Sequence, residues 1–153
     1  FERGEPDTLR RPPRPPNQPL IDRRMVEQTV LAGAVIAGLS FALYANLLAS
    51  GVAHVLAQNA LLWLVVCFEN AHALNCRSET RSLLAIPFAA NPLLLLAIAG
   101  AQMAQVAAMY VPGLNRVLDL APLPWQHWLG VAALALLIVP VMELYKAWRR
   151  KHS

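Results

Sequence analysis

A chain of 153 residues that is 57% hydrophobic and only 14% charged carries more apolar surface than a water-soluble domain of that size can bury. A mean hydropathy of +0.43 points the same way and excludes an ordinary soluble enzyme. The net charge of +4 is a topology signal and not a nucleic-acid footprint, because the basic residues cluster by position.

The first stretch, residues 1–24, reads as a cytoplasmic Pro/Arg-rich linker. Arg11–Pro19 can be neither helix nor central strand, since each proline lacks a donor N–H and restricts its predecessor. It is an extended, semi-rigid spacer or a dock for a cytosolic domain or an aromatic groove, and both readings stay open. The chain begins with Phe1, not Met, and has no apolar leader at its head, so it reads as a fragment.

Residues 25–153 form the membrane domain. About 20 helical residues cross a hydrocarbon core of about 30 Å. Four stretches meet that length: Val26–Ala49, Val52–Asn75, Asn91–Val111 and Trp125–Tyr145. Short connections predict an all-α membrane protein with four transmembrane helices running up, down, up and down.

The first span carries Gly33, Ala34, Ala37, Gly38, Ala42 and Ala45, whose small-xxx-small spacing favours a close packing face over coincidence. Tyr44 and Asn46 fall at its outer interface. The second span holds Gln58, Asn59, Cys67, Glu69, Asn70, His72 and Asn75. An acid in a spanning helix costs roughly 2.5–3.5 kcal/mol even on the mildest scales, so Glu69 marks an ion or proton path.

Glu69, His72 and Cys76 share one helical face at i, i+3 and i+7. Three readings compete for that face. A transition-metal site needs Cys, His and Glu to converge with a further ligand. A structural role leaves Glu69 neutral or bonded to a neighbouring helix. The favoured reading is a hard-cation or proton site that uses Glu69, with supporting residues drawn from Asn70, His72, Gln102 and Gln105, and with oxygen ligands from other helices. One span cannot supply six oxygens, so partners outside this chain are implied. Cys67 and Cys76, nine residues apart on or beside one helix, cannot bridge each other.

Asn91-Pro92 opens the third span as cap and first helical residue. Gln102 and Gln105 make a modest polar stripe, best read as helix-to-helix hydrogen bonding. The outer connection through Pro112, Gly113 and Pro122–Pro124 ends in Trp125 and Trp128, a pair at the outer interface. Pro140 predicts a kink in the last span. Glu143 and Lys146 pair at i and i+3 as the helix leaves the membrane, in a structural role, and Trp148, Arg149, Arg150 and Lys151 anchor the end.

Of the 13 Lys and Arg, all but Arg116 lie before the first span, between the second and third, or after the fourth. That asymmetry places both termini and the Asn75–Ser82 loop in the cytoplasm, in a multi-pass cell (inner) membrane protein.

Asp7 through Ile21 resembles the cytoplasmic connection after the sixth membrane helix of P-type cation-transporting ATPases of the calcium-pump (type II) branch. Phe68 through Ser82 is similar to the end of that family's eighth helix and the loop behind it. Asn91–Leu96, Tyr110–Leu114, Ala121–Leu123 and Glu143–Lys146 resemble bacterial members further on. The resemblance implies that the four spans are helices seven to ten of a ten-helix pump, with Glu69 where calcium pumps of this type carry a cation-site glutamate. It also implies a transported cation, Ca2+ first, with Mg-ATP used by the parent protein. Partners are membrane lipid and the missing helices one to six with their cytosolic domains, and no nucleic acid. This fragment holds no phosphorylation motif, nucleotide domain or cofactor, so it is expected to be inactive alone. The rival is a stand-alone four-helix scaffold or assembly subunit descended from such a pump.

Overall fold

Asp22 starts the first helix by accepting the Met25 N–H on its carboxylate at 2.8 Å, which satisfies one of the donors a helix N-terminus leaves open. In the structure, a computed structural model that describes residues 21–78 and 81–152, this helix is α1, Arg23–Ala49. The Pro/Arg run expected as a linker lies outside the described residues up to position 20. Gly51, at φ 77°, closes α1 with a left-handed turn that few side chains tolerate. The turn delivers the chain into α2, His54–Asn75.

Two short 3-10 turns, Leu83–Ala85 and Phe88–Ala90, lead to α3, Pro92–Tyr110, where Asn91 caps the Leu94 N–H at 3.0 Å and Pro92 sits in the first turn as expected. The outer connection also folds a turn of helix that the sequence did not announce, α4, Leu114–Val117. The last arm is two helices, α5, Trp125–Ala135, and α6, Ile138–His152. Its break falls at Leu136–Leu137, one turn before Pro140. Proline has no N–H for the Leu136 carbonyl and its ring crowds that carbonyl.

Among the described residues every regular element is helical, so the all-α expectation holds. Among the described residues three helices are long and apolar enough to cross a membrane: Arg23–Ala49, Pro92–Tyr110 and the arm Trp125–His152. The expected second span, α2, has the length at 22 residues but is less apolar, because Gln58, Asn59, Glu69, Asn70 and His72 interrupt it. It is the central helix, in contact with α1, α3, α5 and α6. Its buried residues include Ala57, Ala60, Leu64, Cys67, Phe68, Ala71 and Asn75, a helical stripe around which the other arms close.

Contacts at the two ends fix the alternation. Tyr44 meets His54, and Tyr110 donates to the Leu123 carbonyl, at one end. Glu27 meets Tyr145 and Arg149, and Asn75 meets Lys146, at the other, here called the basic end. Trp125 is exposed as an interfacial residue should be, but Trp128 turns inward. Its ring lies 4.9 Å from that of Trp63, and its N–H donates to the Leu123 carbonyl at 2.9 Å.

The small-residue stripe of α1 is not a packing face within this chain. Gly33, Ala34, Ala37, Gly38, Ala42 and Ala45 are all exposed, and a Cβ on Gly33 or Gly38 would meet nothing within 4 Å. The face that packs carries Ala32, Val35, Ile36, Leu39 and Leu43. Gly33→Ala and Gly38→Ala in the purified chain should therefore each raise stability by about 0.5–1 kcal/mol through helix propensity. Reversible unfolding in mixed detergent micelles measures this, and a loss of stability would show the stripe to be packed.

Candidate functional site

A buried helix that carries polar residues must find them partners. Along α2 that requirement is met unevenly. Glu69 follows the fully buried Phe68 and points away from the core; it is exposed and makes no hydrogen bond or ion pair among the described residues. Asn70 is half-buried, and its Nδ2 is enclosed without a partner. One turn on, His72 Nε2 lies 3.4 Å from Cys76 Sγ, while its Nδ1 is enclosed and unbonded.

Gln102 of α3 donates to Cys67 Sγ at 3.6 Å, which is the helix-to-helix bonding expected of the glutamine stripe. Cys67 stands two residues from Glu69, about 200° around the helix, so within this chain Gln102 faces a different side of α2. Gln105 is buried, and its Nε2, like Gln102 Oε1, finds no partner. Among the described residues no three His, Cys, Asp or Glu side chains converge, so the Cys/His/Glu metal reading lacks its carboxylate. The structure thus joins His72 to Cys76 and Gln102 to Cys67, and leaves Glu69 facing outward.

The densest polar site is one that sequence reasoning did not find. Lys146 is only 2% exposed. Its ammonium donates to the Asn75 carbonyl at 2.8 Å, to Asn75 Oδ1 at 3.0 Å and to the Arg81 carbonyl at 3.3 Å. The expected partner, Glu143, is 4.0 Å away and spends its Oε1 on the Leu83 N–H at 2.9 Å. A cation at the end of α2 complements the exposed carbonyls and negative dipole of its last turn. Residues 71 apart in the chain gave no local signal of this pairing.

Glu27 was missed for the same reason. It gathers the Tyr145 hydroxyl at 2.8 Å, Arg149 Nη2 at 3.0 Å and Arg23 Nε at 2.9 Å, and so ties α1 to α6. Arg149 is therefore a brace between helices as well as a terminal anchor. Outside the helices, desolvation of its sulfur pushes the Cys76 thiol above its ordinary value and keeps it neutral at pH 7.

Comparison with known proteins gives these observations a context. The family model described as "Cation transporting ATPase, C-terminus" matches residues 1–148. The "Probable cation-transporting ATPase F" of Mycobacterium tuberculosis is 34% identical over 142 residues, which is 93% of this chain and 16% of that protein. The mouse "Calcium-transporting ATPase type 2C member 2" is 29% identical over 145 residues, 94% of this chain and 15% of that protein. The "Calcium-transporting ATPase 1" of Yarrowia lipolytica is 26% identical over 149 residues, 97% of this chain and 16% of that protein. The chain thus spans about a sixth of the length of these relatives.

The lysine site makes a definite demand on stability. Lys146→Met should cost about 3 kcal/mol in reversible unfolding of the purified chain, because it removes charged hydrogen bonds and strands buried carbonyls. Glu143→Ala, which frees one backbone N–H, should cost about 1 kcal/mol. A Lys146→Met change within 0.5 kcal/mol of the parent would mean that the Asn75 and Arg81 carbonyls have other partners.

Proposed function

Since the chain belongs to the family of cation-transporting ATPase C-termini, we propose that it forms the last four membrane arms of a P-type pump that moves a calcium-class cation. Its arms support the transport helices, and Glu69 lends a carboxylate to the ion path. The observation that carries this reading is Glu69 itself: a carboxylate on the central helix that turns outward and bonds to no described residue. Inside a bilayer such a group needs a partner from elsewhere. Asn70, next to it with an enclosed and unbonded Nδ2, faces the same need.

Helices one to six of the whole protein would supply the remaining oxygens, since a hard cation takes six to eight. The cytosolic domains would bind Mg-ATP, and the Pro/Arg-rich head would connect to them. The names of the relatives favour this reading over a free-standing scaffold, and two of them are calcium-transporting ATPases. The basic end, with Arg23, Arg24, Arg149, Arg150 and Lys151, belongs in the cytoplasm under the positive-inside bias, which sets both termini there in a multi-pass cell-membrane protein.

In the full-length pump, Glu69→Ala should weaken cation-dependent phosphorylation by tenfold or more, about 1.4 kcal/mol of binding. Glu69→Gln keeps an oxygen and should be milder. If Glu69→Ala lowers only expression or thermal stability while cation dependence is intact, Glu69 is structural.

Orientation is tested separately. With Cys67 and Cys76 replaced by serine, a cysteine at Asn115 should react with a membrane-impermeant maleimide in intact cells, and one at His152 only after permeabilisation. The opposite pattern would reverse the topology.

A further inference from the structure

At the basic end, α1, α2 and α6 border a partly open cavity of about 210 Å3 whose lining includes Met25, His72, Asn75, Cys76, Met142 and Lys146. One thiol, one imidazole and two thioethers therefore share a single space, drawn from three helices and the cap of α2. We propose that this cavity binds one soft monovalent metal ion of the copper(I) or silver(I) class, held by Cys76 Sγ and His72 Nε2 and completed by the thioethers of Met142 and Met25.

Geometry supports the first two donors. With metal–sulfur near 2.3 Å and metal–nitrogen near 2.0–2.1 Å, a tetrahedral ion holds its sulfur and nitrogen donors about 3.6 Å apart. His72 Nε2 and Cys76 Sγ stand 3.4 Å apart, so closing on an ion needs only a small outward shift. Their i, i+4 spacing keeps both on one face of α2.

Softness supports the other two. Thiolate and thioether ligands select copper(I)-like ions over hard cations, and among the described residues no carboxylate lines the cavity. Met142 is buried at 1% exposure and already faces inward, while Met25 is partly exposed on α1. Methionine's three rotatable bonds let both adjust to an ion without moving a helix.

Charge decides the valence. The Lys146 ammonium lines the same cavity and is pinned by the Asn75 and Arg81 carbonyls, so it cannot swing away. A thiolate and a monovalent ion add no net charge beside it, whereas a divalent ion adds one unit of repulsion in a poorly solvated space. The bound ion would staple α1, α2 and α6 together at the end where they already meet. Neither Glu69 nor cation transport enters this inference, so its failure leaves the transport reading untouched.

The test uses silver(I), which is stable in air, on the purified chain in detergent with Cys67→Ala to remove the other thiol. The expected result is one silver ion retained per chain after gel filtration. Affinity, measured by competition with a chromophoric chelator, should fall 100-fold or more on Cys76→Ser and tenfold or more on Met142→Leu and on Met25→Leu. A solitary thiol would also capture silver, but it would ignore the methionines. Unchanged affinity in Met25→Leu, a partly exposed position where folding is not at stake, would overturn the site, as would a Cys76→Ser chain that binds silver as tightly as its parent.

Discussion

The ammonium of Lys146 is the contact on which the arrangement of this chain depends. Three carbonyl-type oxygens from Asn75 and Arg81 converge on it, and two of the three are backbone. The end of a helix exposes carbonyls that water normally satisfies. Here a side chain from α6 replaces the water, and the loop that follows α2 is drawn over the same charge. Glu143, one turn earlier on α6, holds the Leu83 N–H, so the loop is gripped on a donor as well as on acceptors. Because α2 touches every long neighbour, fixing its end fixes the frame against which the others pack.

That frame explains why α2, whose apolar run is interrupted by polar residues along its length, sits in the middle. A bilayer offers nothing to polar side chains, so a helix with Gln58, Asn59, Asn70 and His72 is better surrounded by protein than by lipid. The sequence cost of this choice is a run that fails on apolarity, while the more uniformly apolar α1 and α3 are mostly exposed to their surroundings. Asn59 shows the benefit, since its amide donates to the Ala121 carbonyl of the outer connection and ties that loop to α2. Trp63 does the same by surface, with Trp128 packed against it and Tyr110 edge-on to Trp128.

Local signals in the sequence were reliable where the physics is local. The Asn91-Pro92 start of α3 and the disruption caused by Pro140 follow from groups within one turn of each other, and both appear, the second displaced toward the Leu136 carbonyl, which the proline cannot serve and the Val139 N–H takes up. The spans of α1, α3 and the last arm were legible from length and apolarity alone. What could not be read was pairing at a distance. Lys146 looked like the local partner of Glu143 because Asn75 lies in another helix, and Glu27 carried no local hint of Tyr145 or Arg149. Trp128 had the composition of an interface residue but the direction of a core one, and direction is set by Trp63. For Glu69 the cost of the charge was legible, and its outward direction came only with the fold.

The interruption at Leu136–Leu137 has a mechanical meaning. As one rigid rod, the 28 residues from Trp125 to His152 would measure about 42 Å and would carry a tilt at either end undiminished to the other. Divided into two shorter levers with an articulation between them, the arm lets α5 keep its seat on Trp63 while α6 follows the lysine and the α2 terminus. Shear at one membrane face can then be absorbed midway instead of reaching the opposite face.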